Sequence, residues 1–267
     1  QITEMRNKKG DGNMDEIMPH IRLSREQAAD YVLLPGDPQR LDRIAECLEE
    51  AEELAYNREY RSLRGVYKGV SVMAVSTGIG GASTTIAVEE LARIGAKAMI
   101  RIGSCGALKK GIRLGDLILV NGAVRDDGAS VTYVDSIYPA IPDTELLVAC
   151  MESAEELGAK THVGIARSHD SFYIDDEEAV STYWGERGVL GSDMETAALF
   201  VVGRLRGVRT ASILNTVVEW EDSLEENINS YTGGESAMMQ GERMEILTAL
   251  EAFVRIDKNK QGGNSYE

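Results

Sequence analysis

Two arginines occupy positions that favour contact with an anion. Arg101 lies in an apolar, strand-like run between Ile100 and Ile102, where burying a guanidinium without a partner is costly. Arg40 falls in the first turn of a predicted helix, where the helix dipole disfavours a cation. A buried carboxylate is the alternative partner for Arg101, and exposure to solvent is the alternative for Arg40. The two positions therefore indicate either an anionic ligand, or an ion pair inside the protein for Arg101 and solvent exposure for Arg40.

The ends of two predicted strands add further groups that could bind an anion. A strand over Tyr31–Leu34 leads through Gly36 into the helix that carries Arg40, and the strand that carries Arg101 ends at Ser104. In parallel α/β sheets, ligands bind at the carboxyl ends of the strands, where helix N-termini offer free N–H groups. Two guanidinium groups, one hydroxyl and the backbone N–H of Gly36 fit a small dianion such as phosphate.

A carboxylate that could take part in chemistry follows later in the chain. Glu195 lies three residues after Ser192, which is the spacing of a capping box at the start of a helix. The spacing alone leaves open whether Glu195 only closes the first helical turn or belongs to a catalytic site. The helical spacing of the apolar residues that follow makes Met194 a core residue by default.

Other common catalytic and binding patterns do not occur in the sequence. The glycine-rich turn Thr77–Gly81 joins a strand to a helix, but a dinucleotide-binding fingerprint would place an acidic residue where Ser104 stands. A plain turn between strand and helix is the alternative for these glycines. The three histidines lack metal-ligand spacing, and neither HExxH nor GxSxG is present. The sequence thus disfavours nicotinamide, flavin, metal and acyl-enzyme chemistry.

Predicted strands and helices alternate along the chain without a linker, a repeat or a low-complexity segment. We therefore predict one domain over residues 15–256, an α/β/α sandwich around a mixed, mostly parallel central sheet. Residues 1–14 and 257–267 are predicted to form a flexible extension and a flexible tail. Further strands are predicted at Val70–Ser76, Leu117–Val120, His162–Arg167 and Arg209–Asn215, and helices at Thr144–Leu157, Asp193–Leu205 and Glu235–Arg255.

Charge and cysteine content exclude several classes of partner. The net charge of −16 would repel a nucleic-acid backbone or an anionic membrane surface. No apolar run approaches the roughly 20 residues that span a bilayer. Cys47, Cys105 and Cys150 are widely spaced and form no CxxC pair, so neither a disulfide framework nor a zinc site is indicated. We expect a cytoplasmic protein without a nucleic-acid or membrane partner.

Four motifs resemble, in the same order, those of the nucleoside phosphorylase superfamily, which contains uridine phosphorylase and hexameric purine nucleoside phosphorylase. They are Pro35-Gly36-Asp37-Pro38-x-Arg40, Ser76-Thr77-Gly78-Ile79-Gly80-Gly81, Arg101-Ile102-Gly103-Ser104-x-Gly106 and Asp193-Met194-Glu195. The resemblance extends from about Pro19 to Arg255. Within the superfamily the chain is most similar to uridine phosphorylase, through Val124-Arg125-x-Asp127-Gly128-Ala129-Ser130, Thr161-His162-Val163-Gly164 and Asp170-Ser171-Phe172-Tyr173.

The resemblance implies phosphorolysis of a nucleoside to a free base and a (deoxy)ribose 1-phosphate, with inorganic phosphate as co-substrate and no metal or other cofactor. By the family pattern, phosphate would be bound by Gly36, Arg40, Arg101, Ser104 and Arg58 of the partner subunit. Ribose would be bound by Met194, Glu195 and His20 of the partner subunit. Such shared sites imply a homo-oligomer with a dimer as its smallest active unit and a hexamer as the usual assembly.

Catalysis and base recognition complete the roles that the resemblance implies. Catalytic roles would fall to Arg101, Glu195 and Glu219. The base would contact Thr77, Gly78, Phe172, Asp176, Glu178 and Glu219.

One stretch departs from the family pattern and leaves the base open. Uridine phosphorylases read the pyrimidine edge with a Gln and an Arg two residues later, and Asp176 and Glu178 stand at those positions here. Ionised carboxylates cannot donate hydrogen bonds to uracil carbonyls. In the purine branch a late Asp protonates the base, and Glu219 is its nearest counterpart, as a general acid or as an acceptor from a base N–H. The plainer alternative for these acidic residues is a solvated loop. The main alternative function is that of a purine nucleoside phosphorylase.

Two other classes of function stand as further alternatives. A nucleosidase would use water in place of phosphate, but the presence of Arg40, Arg58 and Arg101 argues for phosphate. A catalytically silent nucleoside-binding protein would keep the same site. For a phosphorylase, we expect Arg101→Ala to weaken phosphate dependence far more than fold stability.

Overall fold

A nine-stranded mixed sheet organises the part of the chain that the structure describes. The structure is a computed structural model that describes residues 16–220 and 237–261, so the predicted extension 1–14 and the end of the predicted tail, 262–267, lie outside it. The strands are β1 Tyr31–Pro35, β2 Glu49–Asn57, β3 Tyr60–Tyr67, β4 Val70–Val75, β5 Ala98–Ala107, β6 Leu117–Asp126, β7 Thr161–His169, β8 Val189–Asp193 and β9 Arg209–Val218. The helices are α1 Arg40–Ala45, α2 Gly81–Ile94, α3 Gly128–Val131, α4 Thr144–Glu156, α5 Glu177–Glu186, α6 Thr196–Leu205 and α7 Ala237–Gln261.

Strand β5 lies at the centre of the sheet and carries Arg101. It pairs in parallel with β1, where Leu34 lies beside Arg101, and in parallel with β9, where Ser212 lies beside Arg101. The end of β5 also pairs with β8, and the order β5-β8-β7-β6-β9 returns to β5. These five strands close into a ring, while β1, β4, β3 and β2 extend from it as an open sheet. The carboxyl ends of β1, β5 and β9 therefore meet at one edge, where ligands bind in α/β folds.

Helices cover both faces of the sheet because the inner strands are apolar on both sides. On β1, Val32 and Leu34 face a core cluster that includes side chains of α2 and α6, whereas Tyr31 and Leu33 face a cluster that includes side chains of α1, α4 and α7. All four side chains are buried. The predicted α/β/α arrangement around a mixed sheet is thereby confirmed. In the described ranges, no helix is long and apolar enough to cross a membrane.

Some elements give no clear signal in the sequence. Strand β2 is mostly exposed and rich in glutamate, and it forms an antiparallel hairpin with β3. Strand β8 and the residues after it occupy the start of the helix predicted at Asp193–Leu205, so that α6 begins only at Thr196. Helix α7 continues through residues 257–261, which the sequence assigns to a flexible tail. The hydroxyl of Tyr31 donates to Asp257 Oδ1 at 3.1 Å and holds this part of the helix against β1.

Candidate active site

A cleft of about 1490 Å³ opens at the carboxyl ends of β1, β5 and β9. The turn before α2, the first turn of α5 and the residues that follow β8 and β9 complete its lining. Across residues 16–220 and 237–261, no group of three or more His, Cys, Asp or Glu side chains could hold a metal ion. The predicted site residues that line the cleft are Gly36, Arg40, Gly78, Arg101, Ser104, Phe172, Glu178, Met194, Glu195 and Glu219.

Arg101 is buried beside the cleft and is held by two carboxylates. Its Nε lies 2.9 Å from Asp193 Oδ2, and its Nη2 lies 2.5 Å from Glu195 Oε2. Burial by itself lowers the pKa of Arg101, but Glu195 and Asp193 outweigh this and raise the pKa above its ordinary value. Its Nη1 is buried and has no hydrogen-bond partner within the described ranges. Arg101 is therefore an ion-pair partner and also, through Nη1, a donor that a ligand could use.

The lack of a side chain at Gly103 makes room for this guanidinium. Side chains at positions 101 and 103 of a strand point to the same face, and a Cβ added at Gly103 would lie 2.4 Å from Arg101 Nη2. That distance is far inside van der Waals contact. Any larger residue at position 103 would therefore displace the Arg101 side chain.

Arg40 is the first residue of α1, and its side chain reaches the end of β5. Its Nη1 donates to the carbonyl oxygen of Ile102 at 2.9 Å, and its Nη2 donates to Ser104 Oγ at 3.1 Å. Its Nε lies 3.0 Å from Oε2 of Glu242, a residue of α7 that the sequence prediction missed. Because the side chain is buried and paired with a carboxylate, the alternative of a solvent-exposed Arg40 is wrong.

Glu195 lies immediately before α6 and points toward the glycine turn. Its Oε1 accepts a hydrogen bond from the backbone N–H of Gly80 at 2.5 Å, and its Oε2 pairs with Arg101. Gly80 has a φ of 94°, a conformation that favours glycine. Burial raises the pKa of Glu195, while Arg101 and two backbone N–H groups oppose the shift. Since Ser192 belongs to β8 and Glu195 bonds elsewhere, the capping-box interpretation is wrong.

Asp193 supports this corner of the cleft, and the sequence prediction gives it no role. Its Oδ1 accepts a hydrogen bond from Ser168 Oγ at 2.6 Å. Its Oδ2 accepts one from the backbone N–H of Thr196 at 3.0 Å and also pairs with Arg101. Asp193 thus accepts a hydrogen bond from the first N–H of α6 and orients Arg101 at the same time. An acidic residue at a strand end, three residues before the helix, is the sequence signal that could have identified it.

The first turn of α5 and Phe172 form another part of the cleft. Glu177 and Glu178 line it, whereas Asp176 precedes the helix, is exposed and does not line the cleft. Thr77 does not line it either, because its hydroxyl is buried and donates to the carbonyl oxygen of the next residue at 3.1 Å. The structure therefore brings Glu178 and Phe172 to the predicted base site but does not bring Asp176 or Thr77 there.

Glu219 follows β9 and lines the cleft as a paired carboxylate. Its Oε2 accepts a hydrogen bond from Arg113 Nη1 at 2.8 Å, and its Oε1 accepts one from the backbone N–H of Leu114 at 3.1 Å. These two bonds lower the pKa of the Glu219 carboxyl. An ionised carboxylate accepts hydrogen bonds and has no proton to give. The geometry thus favours the acceptor role of Glu219 over the role of general acid.

Most of the chain matches one protein family, because residues 30–234 fit the Phosphorylase superfamily. The chain belongs to this superfamily. A uridine phosphorylase of Thermococcus kodakarensis is 43% identical over 206 residues, which cover 73% of this chain and 74% of that protein. A guanosine phosphorylase of Halorubrum lacusprofundi is 37% identical over 195 residues, which cover 73% of this chain and 80% of that protein. The crystal structure of a uridine phosphorylase from Vibrio fischeri ES114 is 47% identical, with a TM-score of 0.84 over 90% of this chain and 98% of that chain.

Membership in the Phosphorylase superfamily confirms the family, the fold and the enzyme class predicted from the sequence. The likeness to uridine phosphorylases is also confirmed. The four motifs that carry the resemblance contribute residues to one cleft, from Gly36 and Arg40 through Gly78 and Arg101 to Glu195.

The two residues that the resemblance assigns to the site of the partner subunit, His20 and Arg58, do not line the cleft of their own chain. His20 Nδ1 lies 2.6 Å from Glu90 Oε1, and Arg58 is exposed in the turn between β2 and β3. Asn57, next to Arg58, donates from Nδ2 to the carbonyl oxygen of His20 at 2.8 Å. The segments that carry His20 and Arg58 are therefore neighbours on one surface.

Proposed function

We propose that this protein cleaves nucleosides by phosphorolysis and binds inorganic phosphate at the arginine end of its cleft. The observation that carries this proposal is the convergence of Arg40 and Arg101 on the end of β5, directly beside the carboxylate of Glu195. Uridine and guanosine phosphorylases that match 73% of this chain support the same reaction. A guanidinium pair beside a fixed carboxylate provides an anion site and a sugar site in contact with each other.

Phosphate is bound by the two guanidinium groups, by the Ser104 hydroxyl and by the backbone N–H of Gly36. Arginine suits this task because it stays charged and its planar group matches two phosphate oxygens at once. Arg101 Nη1, for which the described ranges hold no partner, donates to the bound anion. A hydrogen bond of this charged kind contributes about 1.5–3 kcal/mol.

Ribose lies against Met194 and Glu195, whose carboxylate accepts hydrogen bonds from the sugar hydroxyls. A phosphate oxygen attacks C1′, the bond from C1′ to the base nitrogen breaks, and its electron pair leaves with the base. Positive charge develops on the sugar ring in the transition state, so the adjacent phosphate lowers the barrier. Phosphate is the co-substrate, and neither a metal nor another cofactor takes part.

A second copy of the chain completes the site. His20 and Arg58 are neighbours on the surface and lie outside their own cleft, so they contribute together to the ribose and phosphate sites of the partner. A dimer is then the smallest active unit, and we propose a hexamer as the full assembly. The cytoplasm suits this enzyme because its three cysteines are free thiols.

Uridine is the first candidate substrate, and a purine nucleoside is the second. The second is favoured by the acidic lining of the cleft, which includes Glu177, Glu178 and Glu219. Carboxylates accept hydrogen bonds from N–H groups. Guanine presents adjacent N–H groups at N1 and at its amino group, whereas uracil presents one N–H between two carbonyls.

Base release from a panel of nucleosides tests the proposal. Uridine, thymidine, cytidine, inosine, guanosine and adenosine are each incubated with the protein, with and without phosphate, and base and pentose 1-phosphate are measured. We expect release only when phosphate is present, with one pentose 1-phosphate formed for each base. Release that ignores phosphate would indicate a nucleosidase, and binding without release would indicate a nucleoside-binding protein. The ranking of uridine against guanosine and inosine decides between the two candidate substrates.

A further inference from the structure

Two glutamates of α7 are buried behind Arg40, although glutamate is rarely buried without a partner. The side chains of Glu242 and Glu245 are 1% and 0% exposed. They lie three residues apart on the same face of the helix as Ile246 and Ala249, which belong to the core. This core-facing side of α7 therefore presents two carboxyl groups to the phosphate-binding arginine of α1.

The two carboxyl groups differ in how they are paired. Glu242 Oε2 lies 3.0 Å from Arg40 Nε, and both Glu242 oxygens accept hydrogen bonds from Arg43. Glu245 Oε1 lies at the longer distance of 3.5 Å from Arg40 Nη1. Its Oε2 is buried and has no hydrogen-bond partner in residues 16–220 and 237–261. Two guanidinium groups thus compensate a negative charge on Glu242, whereas a negative charge on Glu245 would be poorly compensated.

The ionisable groups around Glu245 come from its own helix, from α1 and from β5. Burial raises the pKa of Glu245 well above its ordinary range, the arginines oppose this shift and Glu242 adds to it. The Cys105 thiol stays neutral because burial raises its pKa to about 12. The groups that act on Glu245 are Glu242, Arg40, Arg43, Arg101 and Cys105.

We propose that Glu242 and Glu245 are positioning residues for Arg40 with opposite protonation states. Glu242 is the anion that fixes the Arg40 guanidinium. Glu245 is a neutral carboxylic acid that packs against Arg40 without cancelling its charge. With Arg40 and Arg43 charged, the group keeps a net positive charge for phosphate, which a second ionised glutamate would remove. This inference rests on the proposed phosphate role of Arg40.

Kinetics of matched variants separate the two roles. Glu242→Gln removes the counter-ion of a buried guanidinium, so we expect it to raise the KM for phosphate about tenfold above that of Glu245→Gln. The KM for the nucleoside should change much less than the KM for phosphate in both variants. Glu251→Gln is the control, because Glu251 lies on the same helix but bonds to Tyr67 and Lys68 away from the cleft.

Infrared spectroscopy reports the protonation states directly, because the C=O stretch of a carboxylic acid is distinct from the bands of a carboxylate. At neutral pH, the difference between wild type and Glu245→Gln should contain a carboxylic-acid band, and the difference for Glu242→Gln should contain carboxylate bands. Glu245→Leu, of similar size, is a second neutral variant in case Gln is not tolerated.

Two results would overturn the inference alone while phosphorolysis remains intact. They are a carboxylate band for Glu245, or a KM for phosphate that rises as far in Glu245→Gln as in Glu242→Gln. A wild-type protein whose turnover ignores phosphate would overturn the proposed function, and this inference with it.

Discussion

The two ends of the cleft carry charge in opposite ways. At the arginine end, called the phosphate end after the phosphate site that we propose there, Arg40 and Arg101 are each 4% exposed and are held by buried carboxylates from distant parts of the chain. At the base end, named after the base site that we propose there, Glu178 is exposed, and Glu219 is bonded to Arg113, whose side chain is 68% exposed. Breaking a buried ion pair costs several times more stability than breaking an exposed one. Substitutions at the phosphate end should therefore destabilise the fold, whereas substitutions at the base end should have little effect on stability.

The largest expected effect follows from Arg101→Ala. The variant removes the proposed phosphate donor and leaves Asp193 and Glu195 buried without their shared counter-ion. We expect kcat/KM to fall about 10³-fold and the free energy of unfolding to fall by about 3–5 kcal/mol. Phosphorolysis assays and urea unfolding measure the two effects. This loss of stability revises the expectation from the sequence alone, in which phosphate dependence weakens far more than fold stability.

Arg113→Ala is the matched control at the base end. It also removes an arginine from a carboxylate, but the pair is exposed. Its free energy of unfolding should change by less than about 1 kcal/mol. If the two variants lose equal stability, the contrast between a buried and an exposed end of the cleft does not hold.

A smaller effect is expected from Gly103→Ala. The added Cβ would lie 2.4 Å from Arg101 Nη2 and would push the guanidinium out of place. A displacement of about 1 Å in a catalytic site can reduce the rate about 10²-fold, and we expect a loss of that order in kcat/KM. Gly122→Ala, also in a strand, places its Cβ 3.8 Å from the nearest atom and should retain activity. Equal activity of both variants would show that the position of Arg101 is not critical.

The sequence alone predicts residues that line the arginine end of the cleft where chemically suited side chains coincide with the ends of strands. Arg101 and Ser104 can be placed because an apolar strand must end at the ligand-binding edge of the sheet. Glu242 and Glu245 escape prediction as site residues, because only the packing of distant segments brings them beside Arg40. Asp193 has a signal in its position at a strand end just before a helix, but its pairing with Arg101 again depends on packing.

The lining of the base end and the strands β2 and β8 could not be predicted because the sequence there lacks a clear apolar pattern. Whether Asp176 or Glu178 lines the cleft depends on where α5 begins, and the acidic sequence gives no apolar pattern to mark that residue. Strand β2 is an exposed, glutamate-rich edge strand without the usual alternation. Strand β8 lies inside the ring of strands and has only five residues, so its sequence pattern is short. The helical spacing of the apolar residues that follow it is the stronger signal.

Substitutions of two nearby acidic residues, Asp176 and Glu178, should affect the fold least and test base recognition most directly. Glu178 lines the cleft and Asp176 does not. Glu178→Gln replaces a carboxyl group with an amide, which can donate hydrogen bonds to carbonyls as well as accept them. We therefore expect the ratio of kcat/KM for guanosine to that for uridine to fall about tenfold, while Asp176→Asn leaves it unchanged. Both variants should alter the free energy of unfolding by less than about 0.5 kcal/mol, as surface substitutions do. An equal shift from both would mean that the bound base contacts Asp176 as well, and no shift from either would place base recognition on Glu219 and its neighbours.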